Sequence, residues 1–145
     1  MSAARFCVST YLFHKVRLDR EHLVEIAAHG FYSIELFALK SHFDYADPAA
    51  LHQLGEWLDD TRLTLAAVHA PTAMSYDGTW RGSLSLASKV SEARLAAVDE
   101  TRAAIDLAKT LRYDTVVVHL GLPGHVAAAA DNDADLHALA VDPLD

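Results

Sequence analysis

A single cysteine, Cys7, stands among 145 residues, so no intramolecular disulfide can form, and the chain is expected in a reducing compartment. Cys7 lies in the first apolar run and reads as a small buried hydrophobe. No apolar stretch approaches the roughly 20 residues that span a bilayer. The N-terminal residues include Arg5 but neither an apolar signal core nor a cleavage site. The expectation is a cytoplasmic protein with no membrane partner. Positive charge is also scarce: 12 Lys and Arg against 20 Asp and Glu leave a formal net charge of −8. Such a surface repels polyphosphate, and no basic patch offsets it, so nucleic acid is not an expected partner. The remainder, 52% hydrophobic and 22% charged, is the composition of one ordinary globular domain with a sizeable core.

Short apolar runs alternate with helical stripes along the chain. Residues 5–13 (RFCVSTYLF) are β-prone and predict a first strand. Asp19 offers an N-cap with Glu21 in the first turn. Leu23, Ile26 and Ala27 form a stripe, and Gly30 takes the C-cap position. Residues 31–38 (FYSIELFA) predict a second strand, interrupted by Glu35. Asp47-Pro48 predicts a sharp helix start, and Leu51, Leu54, Trp57 and Leu58 continue it to about Thr61. Residues 63–68 (LTLAAV) form the third predicted strand. Residues 72–85, with Gly78, Trp80 and Gly82, read as a loop long enough for a lid or rim. Tyr76 and Trp80 there either rim a pocket or pack on the loop's own helix. A long helix is predicted over residues 91–111, with a stripe of Ala97, Val98, Thr101, Ala104, Ile105, Ala108 and Leu111. Residues 115–120 are the fourth strand.

Two near-identical phrases organise this pattern. Val-His-Ala-Pro at 68–71 and Val-Val-His-Leu-Gly at 117–121 each place a histidine where a β-branched run ends, fifty residues apart. The strands read as continuous apolar runs, which parallel strands covered on both faces require. Right-handed crossovers then bring every strand's carboxyl end to one rim, near His14, His42, His69, His119 and His125. The predicted fold class is α/β, with parallel (β/α) units making four strands and three to four helices. A complete (β/α)₈ barrel needs about 250 residues, so residues 1–124 are expected to form about half of one. Residues 125–145 are an Ala- and Asp-rich tail where a fourth helix could begin. Its Asp131-Asn132-Asp133 start is no calcium loop, because Leu136 stands where glycine is needed and Asp142 where glutamate is.

The stretch GFYSIELFALKSHFDY … LAAVHAP, followed by TVVVHLG, resembles the N-terminal half of the xylose-isomerase-like TIM-barrel superfamily. That group includes sugar phosphate isomerases and epimerases and the metal-dependent apurinic endonucleases. The resemblance covers about 120 residues, from Arg5 to Gly124. It implies that His69 and His119 bind a divalent metal or line the substrate pocket, that Glu35 lies near the pocket floor, and that His42 contacts a sugar from the next loop. The implied cofactor is manganese, zinc, cobalt or magnesium, with an incomplete ligand set. The family's principal metal carboxylates and catalytic glutamates come from later strands, so the catalytic residues stay unassigned.

Each assignment has a structural alternative. His69 and His119 could be buried histidines bonded to backbone. Glu35 could be a structural acid paired with Lys40 or Arg5. His42 could be a solvated loop residue, and His14 and His125 read as surface residues. Removing a proton beside a carbonyl calls for a cation to stabilise the enediolate and a carboxylate to move the proton. Two imidazoles alone leave an ion largely in water, and Glu35 is the only nearby anionic candidate. The expected function is the N-terminal portion of a metal-dependent sugar or sugar phosphate isomerase or epimerase, with a small-molecule sugar as partner. One alternative is a non-catalytic half-barrel that self-associates through its open edges. Another is an apurinic-endonuclease-like fragment, which the acidic charge disfavours.

Overall fold

The computed structural model describes residues 6–121. In chain order these form β1 (Val8–Ser9), α1 (Arg20–Ala28), β2 (Ser33–Phe37), α2 (Pro48–Thr61), β3 (Thr64–His69), β4 (Ala73–Tyr76), β5 (Trp80–Ser83), α3 (Ser91–Ile105) and β6 (Thr115–Val117). Arg5, His125, the expected tail with its possible fourth helix and the excluded calcium loop lie outside the described residues.

Capping residues set the helix boundaries. Asp19 accepts from the backbone N–H groups of Glu21 and His22, and His22 reaches back to the Asp19 N–H, closing a capping box on α1. Past the helix end, Gly30 takes φ +84°, a conformation open to glycine. Asp47 caps α2, with Pro48 at its first position. That helix ends on Arg62 at φ 58°, whose N–H, with that of Leu63, turns back onto the Asp59 and Leu58 carbonyls.

Strands β1, β2, β3 and β6 lie side by side in chain order, all parallel. This is the order of successive right-handed β/α units, and a partial TIM barrel is the architecture it builds. Between β2 and β3 the register slips: Ile34 pairs with Leu65 but Glu35 pairs with Ala67, leaving Ala66 as an extra residue in a bulge. Ile34, Leu36, Leu65 and Val68 therefore join Leu23, Ile26, Leu54 and Leu58 in one core beneath the helices. Glu35, Phe37 and His69 fall on the other face. Continuous apolar runs predicted cover on both faces; among the described residues the helices cover one, and the other walls a cavity.

Several boundaries differ from the sequence reading for local reasons. The first strand is two residues long because Thr10, fully buried, accepts the Phe37 N–H on its hydroxyl at 3.0 Å. The chain then turns into a 3₁₀ helix, Thr10–Phe13, capped by Ser9. Cys7 is exposed beside this short strand, not buried. The presumed loop at 72–85 is an antiparallel hairpin of β4 and β5. Helix α3 stops at Ile105 and tightens into a 3₁₀ turn, Asp106–Lys109. The tighter turn shifts the phase, so Leu107 is buried while Ile105 and Ala108 are exposed. No helix among the described residues is long and apolar enough to cross a membrane.

Candidate functional site

The register of the parallel sheet aligns Phe37 with His69 and His69 with Val117. His119 lies two residues beyond Val117, and the two histidine rings meet with centroids 4.7 Å apart. Their Nε2 atoms are 3.2 Å apart. His69 Nδ1 lies 2.9 Å from the Ala70 carbonyl. A carbonyl can only accept, so Nδ1 is the donor there, and in the neutral ring the lone pair is on Nε2. That lone pair accepts from His119 or binds an electrophile. His69 is half-buried and His119 exposed, so the pair opens outward.

The pair lines a cavity of about 780 Å³ with Ser9, Glu35 and Phe37 from the strands, Tyr11 from the 3₁₀ turn, and Thr72, Ala73, Trp80 and Ser83 from the hairpin region. Glu35 thus shares this cavity with the histidine pair. The pairing of Glu35 with Lys40 does not occur: Lys40 bonds Glu100 on α3 at 2.6 Å. Among the described residues no side chain hydrogen-bonds the Glu35 carboxylate. A second cavity, of about 500 Å³, lies between α2 and the amino-terminal ends of β3 and β6, away from the strand ends that gather ligands in this architecture.

Aromatic rings close one side of the larger cavity. Trp80 does not pack on its own helix; it stacks on His14 at 5.2 Å and 12° and meets Tyr76 at 4.9 Å. His14 also stacks on Tyr11, at 4.5 Å and 14°. Tyr11 and Trp80 both stand edge-on to Phe37. Sequence reasoning misses Tyr11 and reads His14 as a surface residue, because residues 10–13 read as strand and the turn they form, which ends on His14, is not foreseen. A three-residue repeat puts Tyr11 and His14 on one side. Asp77-Gly78 is a hairpin signal, and the resulting turn sets Tyr76 opposite Trp80.

His42 is neither in the cavity nor solvated. It is fully buried, and its Nδ1 donates to the Val16 carbonyl at 2.7 Å, while its own carbonyl accepts from Leu18. Its Nε2 is buried without a partner. Burial pushes its pKa below the ordinary histidine value, against the opposing pull of the Val16 carbonyl. The residue holds the loop that carries Tyr11 and His14. Sugar contact, implied for it by resemblance, is not what this placement provides.

The histidine pair fits half of a metal site. Two nitrogens that share an ion at about 2.1 Å lie roughly 3.0–3.4 Å apart for tetrahedral to octahedral angles. The observed 3.2 Å falls inside that window. The His69 Nδ1–H bonded to a backbone carbonyl is also the usual outer support of a metal-binding imidazole. Among the described residues no group of three or more His, Cys, Asp or Glu is disposed around one point.

Compared with models of known protein families, residues 23–140 match the family described as xylose isomerase-like TIM barrel. That span contains Glu35, His42, His69 and His119. A search of curated proteins finds no match to the chain.

Proposed function

This chain belongs to the xylose isomerase-like TIM-barrel family, and from that premise we propose that it is the N-terminal portion of a metal-dependent sugar or sugar phosphate isomerase or epimerase. The observation that carries the reading is the His69–His119 pair, Nε2 facing Nε2 at 3.2 Å within one cavity with Glu35. His69 and His119 would hold a divalent ion: manganese, zinc, cobalt or magnesium. When bound, the ion supplies the positive charge that stabilises the oxygen anion developing as a proton leaves the carbon beside a carbonyl. Glu35, with no side-chain partner among the described residues, accepts hydrogen bonds from sugar hydroxyls. The Ser9, Thr72 and Ser83 hydroxyls line the same space and can donate or accept as a polyol requires. Tyr11, Phe37 and Trp80 give one side of this space an apolar wall.

Calorimetric titration of the chain with zinc and manganese tests the assignment. The wild-type chain is expected to bind one ion, and His69→Ala with His119→Ala to weaken binding at least about tenfold, or ~1.4 kcal/mol, with an unchanged circular-dichroism spectrum. Retained affinity in the double variant removes the site.

The sheet edges favour a second reading, self-association. Among the described residues β1 pairs only with β2 and β6 only with β3, and Phe6 and Leu120 beside them are 73% and 68% exposed. Unprotected edges of this kind recruit another chain. Light scattering with and without manganese decides: a discrete dimer supports this reading, a monomer removes it.

A further inference from the structure

The planes of Tyr11 and Trp80 differ by only 5°, with centroids 6.3 Å apart. His14 is nearly parallel to both, at 4.5 Å from one and 5.2 Å from the other. If the two larger rings lie edge to edge, a third ring laid over their seam at about 3.5 Å stacking height sits near 4.7 Å from each centroid. The measured distances match that arrangement. Tyr11 and Trp80 line the cavity and His14 does not, so His14 backs the seam and the opposite faces of the two rings look into the cavity. Both rings are nearly half exposed, at 45% and 46%.

Flat aromatic area of this kind has one face to offer and needs a ligand with a matching apolar face. The rest of the cavity narrows the class. Ser9, Thr72 and Ser83 bring hydroxyls and Glu35 a carboxylate. A planar aromatic ligand would cover the rings and leave those polar groups unmatched, whereas a sugar has C–H bonds on one face and hydroxyls around its edge. Among the described residues lining the cavity there is a carboxylate but no lysine or arginine, so with no cation bound a phosphate dianion entering here meets like charge.

We propose that Tyr11 and Trp80, backed by His14, form a platform for the C–H face of an uncharged sugar, and that Glu35 in the same cavity takes its hydroxyls and discriminates against phosphorylated sugars. This deepens the isomerase reading and rests on the cavity being a sugar site. Trp80 and Tyr11 set which substrate is held; the histidine pair is a separate assignment.

Saturation-transfer NMR on the full 145-residue chain tests the platform, using D-fructose, D-fructose 6-phosphate and phenol as probes, with and without zinc. Fructose C–H protons are expected to receive saturation, and Trp80→Leu to weaken fructose binding about tenfold while the calorimetric zinc affinity stays constant. Tyr11→Ser serves as the second variant should Trp80→Leu unfold. In the zinc-free chain, the arm on which the phosphate comparison is scored, fructose 6-phosphate is expected to bind more weakly than fructose. The proposal is overturned by unchanged fructose affinity in a folded platform variant, by tighter binding of the phosphate, by phenol outcompeting fructose, or by absence of fructose binding to the wild-type chain. Failure of the chain to bind zinc counts against the metal reading alone, because the zinc-free titration still decides the platform.

Discussion

Lys40 lies 2.6 Å from Glu100 across sixty residues, and the second Glu100 oxygen accepts the Tyr45 hydroxyl at 2.5 Å. This clasp joins the loop after β2 to the middle of α3. Burial by itself would raise the Glu100 carboxyl, but hydrogen bonds from Lys40 and Tyr45 and the charge of Lys40 outweigh it and hold the group below its ordinary value. Burial and the Glu100 hydrogen bond push the Tyr45 phenol upward, so it stays a donor. Glu100→Ala is expected to cost about 1–3 kcal/mol, toward the lower end because Lys40 is a third exposed. Since the folded carboxyl is depressed, its contribution is full above the ordinary carboxylate value of about 4.3 and is lost as pH falls through the lower folded value. Urea denaturation of wild type and variant from pH 7 down to the acid limit of folding checks both points; a gap that does not narrow toward acid rules out the ionic clasp.

His42 makes stability fall at a higher pH. Its folded pKa lies below the ordinary value of about 6.5, so the unfolded chain binds the extra proton and acid favours unfolding as pH drops below that value. His22 and His14 act on it in the same direction. Replacing it with Gln keeps a donor for Val16 and removes the titration. The expected result is a flatter stability profile between pH 7.5 and 5.5 in His42→Gln, measured by urea midpoint. His42→Ala, which opens a cavity and orphans the Val16 carbonyl, should cost about 2–4 kcal/mol. Parallel profiles for wild type and His42→Gln would refute the assignment.

Gly121 sits at φ +82°, two residues past His119. A Cβ there would run into the Ser85 side chain and come within 3.3 Å of its backbone Cα. Ser85 Oγ is buried without a partner, and the Ala87 N–H bonds the Leu120 carbonyl, so this strand end is tightly seated. Gly121→Ala is expected to destabilise by about 1–3 kcal/mol and to weaken zinc binding by displacing His119. Thermal melts with and without zinc read both effects. Unchanged stability would show that the segment yields freely.

Arg62 is the only non-glycine residue with positive φ among the described residues. It occupies the left-handed position after α2, where glycine is relieved of the Cβ strain. Arg62→Gly should therefore stabilise the chain by about 0.5–1 kcal/mol, a rise of roughly 2–4 °C in midpoint. A lower midpoint would mean the side chain contributes contacts that outweigh its strain.

What was legible in the sequence was set by short-range chemistry. Asp19, Gly30 and Asp47-Pro48 mark helix ends because capping needs only neighbouring atoms, and the structure puts those ends there. The convergence of His69 and His119 was legible because parallel strands align their carboxyl ends. Long-range choices were not. Thr10 leaves the strand for a bond to Phe37, 27 residues away, and that exchange carries Tyr11 and His14 into the site. Lys40 finds Glu100 on a distant helix instead of Glu35 on the strand just before it. His42, polar and in a loop, is the residue most easily mistaken for a contact; only the packing of the loop before α1 reveals it as internal support.

The single unmatched residue at Ala66 decides the parity of everything after it on β3. Were Ala66 paired in turn instead of bulged, Val68 would face the cavity and His69 would be driven among the leucines beneath the helices, since side chains alternate strictly along a strand. How one residue is paired therefore separates a strand that delivers an imidazole to the rim from one that delivers a methyl group. Deleting Ala66 would straighten the strand and leave Val68 beside Leu36 and His69 beside Phe37, so it is the inserted residue's unpaired state, not its presence, that keeps the imidazole at the rim.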